Sequence, residues 1–266
     1  MSCRSVERAH LTPPRFLRGP TFVVSLMLLA GASPASAQDP SMVDRGRFEI
    51  LIGGSARGQE SFAIRRQGEQ YMAVGRTSLE GENLLVLSAE VGLRTDARFM
   101  PVRYEFRTLQ RPTSTTIAVR SGNRIRVTTS NQEGERMTEV LADRGIVLIQ
   151  TGVAHHYWFL IRRFGNAEAG RGGTVDALTP DDVKRSGIRL EAVEEVELAF
   201  PAGPVVEARR HDILIGDTRH IVWTERSTGR VLRAEIPERA WVAIRLFEGD
   251  DANGSADGEP QPEDRP

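Results

Sequence analysis

Cysteine is almost missing from this chain: among 266 residues there is one, Cys3. A single cysteine cannot make a disulfide framework or a zinc site built on several thiolates. Cys3 also falls in the N-terminal segment expected to be removed, so no thiolate nucleophile is expected in the mature chain. Long apolar runs are missing too. The longest, Thr21–Ala32 (TFVVSLMLLAGA), has 12 residues, short of the roughly 20 that cross a bilayer as a helix. No basic excess points to nucleic acid. From Gln38 onward 31 basic residues face 35 acidic ones, so the global electrostatic footprint of a nucleic-acid binder is lacking. Lysine is reduced to Lys184 against 34 arginines, a compositional bias from which no function follows.

The apolar run has a recognisable context. Arg4, Arg8, Arg15 and Arg18 precede it, and Ala35-Ser36-Ala37 follows with small residues at −3 and −1 of a cut before Gln38. This is the layout of a secretory signal peptide over residues 1–37. The expected product is an exported protein, periplasmic or extracellular, free of a transmembrane helix after cleavage. Without disulfides its stability has to come from a core, which the remaining length can supply.

A polar leader over 38–46 comes next, and strand signals start at Arg47. RFEILI alternates, Gly53-Gly54-Ser55-Ala56-Arg57-Gly58 turns the chain, and QESFAIRR returns with Phe62 and Ile64 on one face. QYMAVGRTSL adds a strand in which Gly75 marks a bend or a close approach. LLVLSAEVGL reads as strand in preference to helix because of its valines and its neighbours. Val102, Tyr104 and Phe106 alternate, and TSTTIAVR and RIRVTT flank a Ser121-Gly122-Asn123 hairpin loop. Short antiparallel strands with turns every 8–12 residues characterise a sandwich, a barrel or a curved sheet.

The alternation stops at Gly152. HHYWFLIRRF is apolar on all sides, and either a short helix or a buried strand would fit, with helix favoured. Thr179-Pro180-Asp181-Asp182 has the form of a helix start, with an end at Gly187. A helical insertion is therefore expected over about 155–187. The stretch from Val205 to Leu246 reads as a closing meander, which would form the edge of a single sheet covered by that insertion. The tail 249–266 is acidic, rich in Pro and Gly, and expected to be disordered. The fold class is all-β with minor helix, a single antiparallel β domain spanning 47–248.

Catalytic patterns are lacking. No G-x-S-x-G elbow, HExxH pair or phosphate-cradling glycine loop occurs, so no catalytic residue, metal site or cofactor is assigned. A hydrolase on an unfamiliar constellation would need His155 or His156 to meet a carboxylate such as Asp176 or Glu225. Aromatics make up only 6% of the chain, which draws attention to Tyr157, Trp158, Trp223 and Trp241. They either fill the core, the reading adopted for Trp223, or line a concave sheet face and contact an apolar ligand.

Taken together, FEILIGGSARGQESFAI, HHYWFLIRR, Thr-Pro-Asp-Asp and GDTRHIVWTERSTGRVLRAEIP resemble a group of uncharacterised exported bacterial β-sheet proteins. These are similar in fold to the LolA/LolB-type lipoprotein carriers. The resemblance implies a strongly curved antiparallel sheet or open half-barrel covered by one or two short helices and, by analogy, an apolar cavity. The leading expectation is a non-catalytic envelope protein that binds a lipid, acyl chain or other apolar ligand on the concave face. The alternative is a structural or protein-interaction module with an envelope protein as partner.

Overall fold

A computed structural model describes residues 40–80, 87–109, 112–142, 145–164, 175–200 and 203–247. The signal peptide expected over 1–37 and the acidic tail over 249–266 lie outside the described residues. The fold belongs to the unit Gln38–Pro266. Its strands are β1 (Ser41–Ile52), β2 (Ser55–Gln67), β3 (Gln70–Leu79), β4 (Leu87–Thr95), β5 (Pro101–Thr108), β6 (Thr115–Ser121), β7 (Arg124–Asn131), β8 (Gly134–Leu141) and β9 (Ile146–Leu148). The single α-helix among the described residues, α1 (His156–Phe164), follows. Then come β10 (Asp176–Thr179), β11 (Lys184–Ala199), β12 (Val205–Ile215), β13 (Thr218–Glu225), β14 (Val231–Ile236) and β15 (Trp241–Leu246).

All fifteen strands join one sheet in the order β8-β7-β6-β5-β4-β3-β2-β1-β15-β14-β13-β12-β11-β10-β9. Every pairing is antiparallel except β9 with β10. The sheet is strongly curved and open, as expected from the fold class. Alternation places Phe48, Ile50, Phe62, Ile64, Leu93 and Tyr104 on the inner face, all buried. Gly53 and Gly54, with φ of 61° and 79°, form the two-residue turn whose twist matches the β1–β2 hairpin.

Three expectations change. The Val205–Leu246 meander is not an edge: β15 pairs with β1 from Arg47↔Leu246 to Ile52↔Trp241, which puts the two ends of the fold side by side mid-sheet. The edges are β8 and β9, and β9 is wholly buried and contacts β5. Next, the leader is shorter than expected. Strand β1 starts at Ser41, opposite Arg66, because Asp44 is buried and accepts two hydrogen bonds from Arg245, at 2.7 and 3.2 Å. Finally, Thr179–Lys184 is the β10–β11 hairpin turn and not a helical turn. The Asp182 side chain accepts the Lys184 N–H at 3.1 Å, so residues suited to a helix start serve equally well as a tight turn.

The helix lies on the inner face. His156 through Ile161 are all buried, as expected of a helix apolar on every side. Its side chains reach both halves of the sheet: Trp158 packs against Tyr71 of β3, and Tyr157 against Trp241 of β15. Each large side chain so enclosed contributes about 1.5–3 kcal/mol, which makes this short helix the centre of the core.

The Asp44–Arg245 pair is the electrostatic counterpart of that core. Arg245 also donates to the Val231 carbonyl and lies over the Phe62 ring at 5.5 Å. Truncating Arg245 leaves the buried Asp44 with only the half-exposed Arg230 guanidinium, at 3.6 Å, as counter-charge. Arg245→Leu is therefore expected to lower the unfolding free energy by about 3–5 kcal/mol, read from urea denaturation at neutral pH. Replacing both residues by leucine should restore much of that loss.

Candidate functional site

The most concentrated polar chemistry in the molecule sits where α1 begins. Strand alternation places Glu60 on the same face as Phe62 and Ile64, aimed into the core, where it is fully buried. Its Oε2 accepts the Ala154 N–H at 2.7 Å. Its Oε1 accepts the His155 N–H at 2.9 Å and the His155 ring, through Nδ1, at 2.9 Å. Thr77 donates to Oε2 at 3.4 Å. A helix start exposes N–H groups without intrahelical acceptors and attracts negative charge. Here a carboxylate from another strand supplies the acceptors.

The neighbouring side chains extend the cluster. The His155 ring stacks on Phe62 at 5.8 Å between centroids, and it lies so close to Gly75 that a Cβ there would meet its Cε1 at 2.5 Å. Gly75 is thus the close approach signalled by the sequence. His156 accepts the Gln150 N–H through Nδ1 at 3.1 Å, which places its ring proton on Nε2. Tyr104 donates to Gln150 Oε1 at 3.0 Å, and Gln150 donates to Asp181. Burial raises the Tyr104 hydroxyl well above its ordinary range, with Asp181 adding to the effect. Burial also holds His156 well below the usual imidazole range, helped by the adjacent His155 ring. Nε2 of both histidines is buried without a partner.

Chemically this is a Glu–His pair closed off from solvent. A general base must reach a substrate proton, and none of the described pockets is lined by Glu60, His155 or His156. The carboxylates named as alternative partners lie elsewhere: Asp176 binds Arg185, and Glu225 accepts from Thr228. Among the described residues no three His, Cys, Asp or Glu side chains gather as metal ligands do. The arrangement fits an anchor that joins α1 to β2 and β3.

The aromatic residues singled out from the sequence do not share one cavity. Tyr157, Trp158 and Trp241 are buried around α1. The Tyr157 hydroxyl pairs with His220 Nδ1 at 2.7 Å, and Trp158 packs edge-on against Phe159. Trp223 is half-buried on the opposite, outer face, where the Arg210 and Arg233 guanidiniums cover its ring at 5.9 and 5.2 Å. Trp223 therefore fills no part of the inner core. Its neighbours in β13 carried the signal: with Val222 facing in, alternation sends Trp223 out. Glu60 was missed for a different reason, since a lone glutamate in a strand reads by default as a solvated residue.

Two further buried histidines make stability depend on acid. His211, bonded to Thr224 at 3.0 Å, is pushed down to about 4 by burial and then by Arg209. His220 is pushed down to about 4 by burial and then by Arg239. Unfolded histidine titrates near 6.5, so between these values the unfolded chain binds more protons. The stabilisation is complete above pH about 6.5 and is lost as pH falls towards about 4, by on the order of 3 kcal/mol per histidine. Urea unfolding over that range should show the decline, and His211→Asn should flatten it by about one proton's share.

No family model matches the chain, and no curated protein does. Among solved structures it is similar to a β-barrel-like protein of a domain of unknown function, DUF1849, from Brucella abortus. The identity is 11% and the TM-score 0.49, over 76% of this chain and 94% of that one.

Proposed function

We propose that the chain is a non-catalytic, exported cell-envelope protein that acts as a structural or interaction module through its outer surface. The observation that carries this reading is the filled inner face. Six consecutive residues of α1 are buried against the sheet, and Glu60 holds the start of the helix by three hydrogen bonds from Ala154 and His155. A carrier that holds an acyl chain against its concave face needs an apolar cavity of several hundred Å³. Here that space is taken by Tyr157, Trp158, Phe159 and Leu160. Export is supported by the tripartite start of the sequence, and no helix among the described residues is long and apolar enough to cross a membrane.

The second reading keeps the lipid or acyl ligand on the concave face and makes α1 a removable plug. The helix favours it in one respect: it is short, with nine residues.

A fluorescent fatty-acid probe separates the two. The module reading predicts no saturable uptake by the wild-type protein, and uptake appearing only when Glu60→Ala releases the helix start. Stoichiometric uptake by the wild type would favour the plug and sink the module.

A further inference from the structure

The outer face of β1–β8 sets a row of arginines beside exposed apolar side chains. The strand register aligns one row of directly opposed residues across it: Met42, Arg65, Met72, Arg94, Arg103, Val119, Arg126 and Glu139. Four arginines and one glutamate share this row, although the chain from Gln38 onward is net acidic. The Arg65 and Arg94 side chains have no hydrogen-bond or ion-pair partner among the described residues, whereas Arg103 reaches Glu105 and Arg126 reaches Glu139. Arg94 and Arg103 stand opposite each other on adjacent strands. Like charges so placed destabilise a sheet, and a local conflict of this kind is expected where function demands it.

The same face also exposes apolar side chains. Of the seven large hydrophobic residues exposed among the described residues, five lie here: Met42, Val74, Val119, Met137 and Leu141. Val74 and Met137 are each 60% exposed. Beside the arginine row, Val74 pairs with Ala63 and Gly92, which leaves a shallow groove of about 550 Å³ with Arg76, Glu90, Glu105 and Arg107 around it. Guanidiniums interleaved with methionine and valine suit a surface that presents phosphates above hydrocarbon. A soluble polyanion would satisfy the arginines and leave the apolar side chains in water.

We infer that the outer face of β1–β8 docks on an anionic phospholipid bilayer. The arginine row binds headgroup phosphates, and Met42, Val74, Val119 and Met137 enter the boundary with the acyl chains. The bound phosphate also relieves the repulsion between Arg94 and Arg103. This inference rests on the reading of the outer surface as the working one, and it specifies what that surface meets.

The test is co-sedimentation of the full folded chain with vesicles of equal parts phosphatidylglycerol and phosphatidylcholine, against vesicles of phosphatidylcholine alone. Binding is expected to the anionic vesicles only and to weaken as salt is added. Affinity should fall about fivefold for each unit of positive charge removed, so Arg94→Gln loses about fivefold and Arg94→Glu about 25-fold. A glutamate opposite Arg103 replaces a repulsive pair by an attractive one. Arg94→Glu should therefore raise the thermal midpoint while it weakens binding, which separates lost docking from lost folding. Val74→Ser should weaken binding without changing its salt dependence. Three results would overturn the inference: equal sedimentation with both vesicle types or with neither, unchanged binding by Arg94→Glu, or binding to soluble polyphosphate that excludes the vesicles. None of these readouts depends on fatty-acid uptake, so failure here is distinguishable from failure of the module reading.

Discussion

The fold depends on one carboxylate. Glu60 lies where a strand facing the core would ordinarily carry an apolar residue, and burying a charge there is costly unless it is paired and hydrogen-bonded. The helix start meets that need, and the need is mutual: Ala154 and His155 would otherwise bury N–H groups without acceptors, at about 1–3 kcal/mol each. Neither partner is tolerable alone. The contact joins residues 94 and 95 positions apart in sequence, so it sets where α1 enters the concave side. From that point the helix direction brings Trp158 to Tyr71, Tyr157 to His220 and Trp241, and His156 to Tyr104.

Once the helix is so placed, the curved sheet has little left to enclose. A wide open sheet would otherwise present an apolar trough, and α1 turns that trough into a packed interior. Polar atoms inside it are tied into short chains, Tyr104 to Gln150 to Asp181 and Tyr157 to His220, which favour one arrangement of the surrounding side chains. Among the described residues, none covers the outer face along β1–β8 in this way. There the charged and apolar residues meet solvent together, and the proposed docking rests on that surface chemistry rather than on a cavity.

Much of this was legible in the residues. Alternation located the strands, the turn read over Gly53 to Gly58 located the first hairpin, and the apolar character of HHYWFLIRRF favoured a helix there over a buried strand. Gly75 signalled a close approach, although nothing local said that the approaching group was His155. What could not be read was long-range. The pairing of β1 with β15, which moves the final meander from the edge to the middle of the sheet, depends on residues some 200 positions apart, and no local pattern encodes it. Asp44 looked like part of a solvated leader because Arg245, which makes its burial tolerable, is equally distant. Thr179-Pro180-Asp181-Asp182 suits a helix start and a hairpin turn alike, and the ladder between β10 and β11 decides between them.

The account stands on α1 being a fixed part of the core and not a lid. Amide hydrogen exchange at the Ala154 and His155 N–H groups tests this most directly, because both point at Glu60. If the anchor holds, these amides exchange only through opening whose free energy approaches that of global unfolding, as in core strands. Exchange far faster than in β2 and β3, with the sheet still protected, would show that the helix leaves its place while the fold persists, and would contradict the account.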